Sequence, residues 1–538
     1  MQKINFKTPL YIALLISLGM IVGYTIKPFT KKHSNESNDK FKEVLKLVEE
    51  SYVDTPNEDK LSDAAISSML KELDPHSVYI PAKEVVESNE ELEGSFEGVG
   101  IEFNMLNDTI VVVSAISGGP SEAVGIHAGD KIINIENKIV AGIHISTEEV
   151  KKSLRGRKYT KVKIGIIRGG DKRILNFTIT RDKIPLYTID AAYMVSPGIG
   201  YIKINRFGAT TEEEYHEAVK KLRKLGMKDL VLDLTNNPGG YLKAAISLAD
   251  EFLANDELIV YTQGRVRAKK IYKATNTGQF EHGKLAILVD EGSASASEIV
   301  SGAIQDQDRG IIVGRRSFGK GLVQEPFLLN DRSEIRLTVA RYYTPSGRSI
   351  QRPYSNGTDE YYEDMGNRIR RGELISKDSI KFNDSLKYFT RNHRLVYGGG
   401  GIMPDIFVPL DTTFNSEYLH NLSGKGIFSE FVAFFMEKNR ENILKLYPDF
   451  ASFSQNFRID ENIINQFVSF GEKSGIKKDM KGLAISEPFI KLELKAIIAR
   501  QIFHNEGFFK IINDKNNILK KAVEALKGIT YKNLRLTE

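Results

Sequence analysis

Apolar positions recur at intervals of three and four after residue 38, where Phe41, Val44, Leu45, Val48 and Tyr52 share one helical face. Asp63 opens a second helical stretch carrying Ile66, Met69, Leu70 and Leu73. Their amphipathic faces suit either dimerisation or capping of a core. Pro75 and Pro81 then predict an irregular segment over DPHSVYIP rather than a further helix turn. Between residues 88 and 185 the period shortens. Runs at 111–113, 162–167 and 174–179 predict strands, with a small helix over 121–124, a glycine turn at Gly129 and a strand over 132–135 between them. The pattern is that of a compact β-rich or mixed module.

Residues 186–410 alternate strand and helix as crossover units do. Strands are predicted at 200–207, 229–234, 258–262, 285–290 and 310–314, with a further one at 334–344. Helices are predicted from Thr211, where Glu214 completes a capping-box spacing, and over 242–253 and 295–305. Residues 352–397 are polar and weakly periodic and read as an insert. Beyond Pro409 the pattern is helical, clearest at 427–446, 488–503 and 517–526. These helices carry no catalytic-looking cluster. They are expected to be structural or partner-binding, with gating of an active site as the alternative.

Residues 9–26 (PLYIALLISLGMIVGYTI) are almost wholly apolar and lie between Lys3 and Lys7 on one side and Lys27, Lys31 and Lys32 on the other. A helix over them reaches about 27 Å, enough for a thin bilayer. With no Ala-x-Ala site at its end, an uncleaved anchor is expected over a cleaved signal. Lysines on both sides leave its orientation open. The chain has 538 residues, 41% hydrophobic and 27% charged, which excludes a disordered chain and a multi-span membrane protein. Lys+Arg 75 against Asp+Glu 70 argues against a nucleic-acid binder. Cys 0 removes disulfides, thiol nucleophiles, thiolate metal sites and lipid attachment at cysteine. With no H-E-x-x-H and no Asp/His cluster, neither metal nor cofactor is expected.

The chemistry concentrates in DEGSASASEIVSGAIQDQDRGIIVGRRSFGKGLVQ, residues 290–324. Ser295 falls where an apolar strand has ended and a helix begins, with Glu298 at capping-box spacing. Gly292, Ala294 and Ala296 leave its hydroxyl accessible, and free amides at this helix end can bind an oxyanion. A simple helix cap is the competing reading, and Ser293 and Ser297 are rival nucleophiles. A serine needs a base. Lys320 is the best candidate, set between Gly319 and Gly321, whose backbone freedom lets a long side chain turn inward. Apolar Phe318, Leu322 and Val323 can desolvate it, which favours the neutral amine. Gln324 can hold that amine without the carboxylate that would keep it charged. An exposed loop lysine and a surface glutamine are the competing readings. Gly239 and Gly240, after the strand DLVLDL, can add oxyanion donors or form an ordinary turn. Residues 314–320 resemble a phosphate loop, but Gly321 stands where the magnesium-binding hydroxyl belongs. His76 is the most tempting histidine and reads as packed and structural; His282 reads as a surface residue.

These stretches, with DPHSVYI, FEGVGIEF, GGPSEAVGIHAGDKI, GYIKINRF, LVLDLTNNPGG, YYTPSGRSIQ and GGGIMPDIFVP, together resemble the carboxyl-terminal processing peptidases, serine proteases with a Ser–Lys dyad. The resemblance covers roughly residues 40–351 and 399–409. It implies Ser295 as nucleophile, Lys320 as base with Gln324 in support, and the amides of Gly239, Gly240 and Ala296 as the oxyanion hole. It also implies a PDZ domain over 88–180 whose carboxylate-binding loop is Gly98-Val99-Gly100-Ile101. Successive loop amides suit a terminal carboxylate while the peptide adds along a strand edge, and Arg168 is expected to add a cationic contact.

The implied architecture is multidomain α/β and β. A segment over 1–34 anchors or exports the chain, and a helical region covers 35–87. The PDZ domain over 88–180 precedes an α/β peptidase core over 181–410 with its insert, and a helical extension fills 411–538. Expected partners are proteins or peptides with free C-terminal tails, an activator or adaptor protein, the membrane through the N-terminal segment, and a second copy of the chain. Nucleic acid is not among them. The expected location is a bacterial inner membrane with the catalytic part facing the periplasm, or the periplasm itself after signal cleavage. The alternative function is a non-catalytic PDZ scaffold. In one departure, Thr235 stands where the family has an arginine before Asn-Pro-Gly-Gly, so any ion pair of that arginine must be replaced or missing.

Overall fold

The computed structural model describes residues 36–537 apart from 107, 117 and 169–172, together with the isolated positions 13 and 17. The apolar stretch expected to be an anchor lies outside the described residues. Among those described, no helix is long and apolar enough to cross a membrane. The chain divides into two compact units, Met1–Met69 and Leu70–Glu538. The first contributes the helix Glu36–Ser51 and nearly all of Glu58–Lys71.

The larger unit is built on a six-stranded sheet in the order Ile189–Ser196, Ile199–Ile204, Asp229–Asp233, Leu285–Val289, Ile311–Gly314, Ile406–Phe407. All neighbours run parallel except the first pair. Every residue of Ile199–Ile204, Leu285–Val289 and Ile311–Gly314 is buried. That explains their unbroken apolar sequences, because helices cover both faces of a parallel sheet. On one face Leu222, Leu248, Ile299 and Ile304 pack on Ile202, Leu230, Leu232 and Ile287. On the other, Ile518, Leu519, Leu526 and Tyr531 pack on Tyr201, Val231, Leu288 and Val313. The last helices of the chain therefore supply the second covering layer of the core sheet. An aromatic cluster around Phe431, Phe453 and Phe467 forms the separate core of the preceding helices.

A second sheet joins Val78–Ile80, Glu334–Tyr343, Leu258–Gln263 and Lys270–Lys273, with Leu322–Leu328 also on Glu334–Tyr343. The segment DPHSVYIP thus contains a short strand, Val78–Ile80, because the long strand Glu334–Tyr343 offers it a partner. The β-rich module forms a sheet of Ile101–Leu106, Thr109–Ala115, Lys131–Ile135, Lys161–Ile167 and Leu175–Thr180, with Ile101–Leu106 at its edge. The helix Thr147–Leu154 covers this sheet, opened by a reciprocal Ser146–Glu149 capping box.

Three local expectations change. The helix Thr211–Lys224 starts where expected, but the Glu214 carboxylate accepts the Thr188 and Ile189 N–H groups at 2.9 Å and the Thr210 hydroxyl at 2.6 Å instead of closing a backbone capping box. The helix expected at 488–503 runs from Met480 to Ile512, with Pro488 inside it and non-helical backbone at Phe503 and His504. The insert is ordered, holding the helix Thr358–Arg370 and the hairpin Lys387–Phe389 with Leu395–Tyr397.

Candidate active site

Two short loops leave the C-terminal edge of the core sheet, where sites of open parallel sheets form. One follows Leu285–Val289 and carries Ser295 into the helix Ala296–Asp306; the other follows Ile311–Gly314 and carries Lys320. Ser295 has φ +54° and ψ −110°, a backbone conformation non-glycine residues rarely hold. Its two rivals are spent elsewhere. The Ser293 hydroxyl donates to the Leu234 carbonyl at 2.8 Å and the Ser297 hydroxyl to the Asn237 carbonyl at 2.9 Å, both fully buried. Ser295, Ala296, Gly240, Lys320 and Gln324 line one cavity of about 340 Å³, with Leu92, Leu242, Ile299, Leu322 and Tyr342 among its walls.

The Lys320 Nζ donates to Gln324 Oε1 at 3.1 Å. Neither a carboxylate ion pair nor a hydrogen bond to Ser295 Oγ is made by this amine among the described residues. Burial pushes its pKa below the ordinary lysine value, opposed by the negative charges of Asp74 and Glu298 and reinforced by Arg336. Gln324 in turn donates through Nε2 to the His76 carbonyl. The Lys320 loop is clamped rather than mobile. A Cβ at Gly321 would stand 2.9 Å from the Gln351 nitrogen, and one at Gly319, whose φ is +92°, would stand 3.1 Å from the Gly401 nitrogen. These glycines permit close backbone approach; they do not loosen the chain.

Glu298 joins the two loops. Fully buried, its carboxylate accepts the Ser295 N–H at 2.9 Å, the Lys320 N–H at 2.9 Å, the Gly319 N–H at 2.7 Å and the Ser317 hydroxyl. Burial pushes its pKa up to about 7 against the pull of those donors. Tyr342 adds a second tie, its hydroxyl reaching both the Ser295 carbonyl, at 3.1 Å, and the Lys320 carbonyl. The sequence signals Glu298 only as a helix cap. Nothing in it signals Tyr342, which belongs to another sheet.

The glycine pair also changes in detail. The Gly239 N–H donates to Asn237 Oδ1 at 2.9 Å, so it is not a free oxyanion donor. Gly239 acts by its bareness: a Cβ there would stand 2.7 Å from Ser295 Cβ and 2.9 Å from the Ala296 nitrogen. The Gly240 and Ala296 N–H groups have no acceptor among the described residues, and both residues line the cavity. Beside Thr235, the buried carboxylate of Asp233 has a cation. Buried Lys203 donates to Asp233 Oδ1 at 3.1 Å, to Thr235 Oγ1 at 3.1 Å and to the Thr235 carbonyl, while the Tyr201 hydroxyl donates to Asp233 Oδ2 at 2.7 Å.

In the β-rich module, Val99, Gly100 and Ile101 line a pocket of about 120 Å³ with Phe96, Phe103, Lys151, Leu154 and Arg155. Gly98 ends the preceding strand. The expected Arg168 contact needs correction. Its guanidinium makes a two-pronged pair with buried Asp130 at 2.7 Å and donates to the Gly125 carbonyl at 2.6 Å. Removing it would strand a buried carboxylate, so its role here is structural. The cations at the pocket are Lys151 and Arg155, and Arg155 pairs with Glu90 at 2.8 Å and Glu87 at 3.3 Å on the helix Ala82–Glu93. No group of acidic and histidine side chains suited to a metal occurs among the described residues.

An α/β core with a half-buried amine and an N-cap serine in one cavity, joined to a PDZ-type sheet, defines the class as a serine-type peptidase carrying a PDZ domain. The comparisons agree. The description Peptidase family S41 matches residues 198–359, PDZ domain matches 98–179, and Activating protease CtpB N-terminal domain matches 24–84. Residues 418–504 match a family of unknown function. The chain is 37% identical over 337 residues to a carboxy-terminal-processing protease of Bartonella bacilliformis, covering 62% of this chain and 76% of that protein. It is 35% identical over 321 residues to the carboxy-terminal processing protease CtpB of Bacillus subtilis, covering 59% of this chain and 66% of that protein. Among solved structures, a photosystem II D1 C-terminal processing protease aligns with 26% identity and TM-score 0.35, covering 69% of this chain and 93% of that one. The chain belongs to the carboxy-terminal-processing protease family.

Two substitutions test this geometry. Each Glu298 oxygen takes two donors, so the amide of Glu298→Gln must turn its NH2 toward two of them. Faster hydrogen exchange is expected either at the Gly319 amide or at the Ser295 and Lys320 amides together, according to which oxygen the NH2 replaces, with a cost of about 1–3 kcal/mol per stranded donor. Unchanged exchange contradicts the account. Lys203→Met leaves Asp233 buried without its cation and is expected to cost about 3–5 kcal/mol in denaturant unfolding. Adding Thr235→Arg should recover part of that loss.

Proposed function

We propose that the protein is an endopeptidase that cuts polypeptides near their C-termini through a Ser295–Lys320 dyad. In this reading the neutral Lys320 amine takes the Ser295 Oγ proton as that oxygen attacks the peptide carbonyl. The Ala296 and Gly240 amides receive the resulting oxyanion. Lys320 then gives its proton to the leaving amine. Water, deprotonated by the same amine, releases the acyl group from Ser295 and restores the hydroxyl. The observation that carries the reading is a desolvated lysine resting on an amide oxygen, not a carboxylate, in the cavity that holds Ser295.

The pocket at Val99–Ile101 is the tail-binding element of the same proposal. An extended tail adds to the edge strand Ile101–Leu106, with Lys151 and Arg155 beside its carboxylate. We also place the catalytic part outside the cytoplasm on an inner membrane, a reading that rests on the apolar stretch at 9–26.

With an unstructured, apolar-tailed polypeptide as substrate, Ser295→Ala is expected to reduce cleavage to background and Lys320→Ala to lower kcat by about 10²–10⁴-fold. Lys320→Arg should be equally inactive, because a guanidinium cannot act as base. The wild-type rate should rise with pH, since only the neutral amine works, and the limb should lie below the ordinary lysine value. Cleavage that survives either alanine variant sinks the dyad. For the tail site, a peptide with a free carboxylate should bind at least roughly tenfold tighter than its amide in fluorescence anisotropy. Equal affinities would remove the PDZ reading.

A further inference from the structure

The insert at 352–397 has no assigned role, yet its helix Thr358–Arg370 lies against the loops that place Lys320. Tyr361, buried, shares a 2.9 Å hydrogen bond between its hydroxyl and His76 Nε2. The two rings meet edge to face at 5.2 Å. Next to it the Tyr362 hydroxyl donates to the Pro75 carbonyl. His76 also donates its N–H to Asp74 Oδ1 at 2.8 Å, so backbone and ring are both fixed. Its carbonyl then accepts from Gln324, whose other amide atom accepts from Lys320 Nζ.

The same helix grips the Lys320 loop directly. The Arg352 guanidinium is stacked between Phe318, at 4.1 Å, and Tyr361, at 3.9 Å, and donates to Asp364 at 2.8 Å. Arg368, only 1% exposed, donates to the Arg316 carbonyl at 2.6 Å and the Ser317 carbonyl at 3.1 Å. These two loop carbonyls, just before Phe318 and Lys320 in the chain, would otherwise need water. The insert thus reaches the amine from two sides, through the loop backbone and through the His76–Gln324 relay.

We propose that Tyr361 is a positioning residue for Lys320, acting through His76 and Gln324 to keep the amine dry and aimed into the cavity. This rests on the reading of Lys320 as the base. The groups facing the amine are Asp74 and His76 on the DPHS turn, Glu298 on the serine-bearing helix and Arg336 on the strand Glu334–Tyr343, while Arg352 faces His76. Burial, with the Lys320 and Arg352 charges, pushes the His76 pKa down to about 3, opposed by Asp74, so its ring is neutral over the working range and its bond to Tyr361 does not titrate. A pH effect of removing the Tyr361 hydroxyl must therefore arise at other groups, Lys320 first.

The test uses the full-length protein and the variants Tyr361→Phe, His76→Phe and their combination. Tyr361→Phe removes one oxygen and keeps the ring between His76, Phe318 and Arg352. Each single change is expected to lower kcat roughly three- to tenfold with KM unchanged, the loss of one hydrogen bond. The double variant should fall no further than the singles. The rising limb of kcat should move to higher pH as the amine gains water. Competitive trace acetylation of Lys320, read by mass spectrometry, gives the amine pKa without turnover and should move the same way. Wild-type kcat, limb and acetylation profile in Tyr361→Phe overturn the proposal. A loss of kcat with an unmoved Lys320 acetylation profile also overturns it, since that marks a structural role only. A wild type that never cleaves refutes the dyad reading, while the acetylation shift still decides whether Tyr361 positions Lys320.

Discussion

A single buried carboxylate holds the two halves of the site at one distance. Glu298 receives backbone N–H groups from the serine turn and from the lysine loop, so the loops cannot move apart without leaving donors or a charge unpaired in the core. Residues 298 and 320 are far apart in sequence. Only the parallel pairing of Leu285–Val289 with Ile311–Gly314 brings the following loops side by side for one side chain to span. Tyr342, from the second sheet, repeats the tie through carbonyls instead of amides. The Ser295 backbone, at φ +54°, is held in its unusual conformation by this over-determination.

The outer elements have physical jobs in relation to this joint. The last helices of the chain cover the sheet face carrying Tyr201, Val231 and Leu288, and the Tyr531 hydroxyl donates to the Leu285 carbonyl at 2.6 Å, where a central strand begins. Earlier in the extension, Lys131 on the PDZ sheet pairs with Glu437 at 3.2 Å and Glu102 with Arg500 at 3.3 Å. Such exposed or half-exposed pairs are worth little in energy, about 0–1 kcal/mol each, and serve orientation more than stability. The insert completes the arrangement on the lysine side. Its cations, Arg352 and Arg368, are buried against aromatic faces and carbonyls, so they hold position without placing a carboxylate beside the Lys320 amine.

Lys203 supplies the cation for a carboxylate on the neighbouring strand. Asp233 is buried and needs a cation, and the charge comes from the adjacent parallel strand, in register Lys203 to Asp233. The Thr235 hydroxyl and N–H donate to the same Asp233 oxygen, Oδ1, at 2.7 and 2.8 Å. The turn into Asn236–Gly240 is thereby set with no residue of the turn itself carrying a charge.

Unbroken apolar runs such as LAILV and IIVG made the parallel core legible, because strands buried on both faces leave no polar alternation. The S-x-x-E spacing and the G-K-G run likewise marked Ser295, Glu298 and Lys320 by local rules, since capping and backbone permissiveness depend on near neighbours. Which contacts those residues make was not local. Arg168 reads as a free hairpin cation until Asp130 is found opposite it, and Gly239 reads as an amide donor until Asn237 folds back onto it. The weak periodicity of the insert hid a helix whose value lies in contacts with residues 76 and 316–318. Sequence determines what each short segment prefers and which chemistry it carries. Tertiary structure alone decided which donor meets which acceptor, because hydrogen bonds and ion pairs between distant segments exist only once the sheet has placed their ends together.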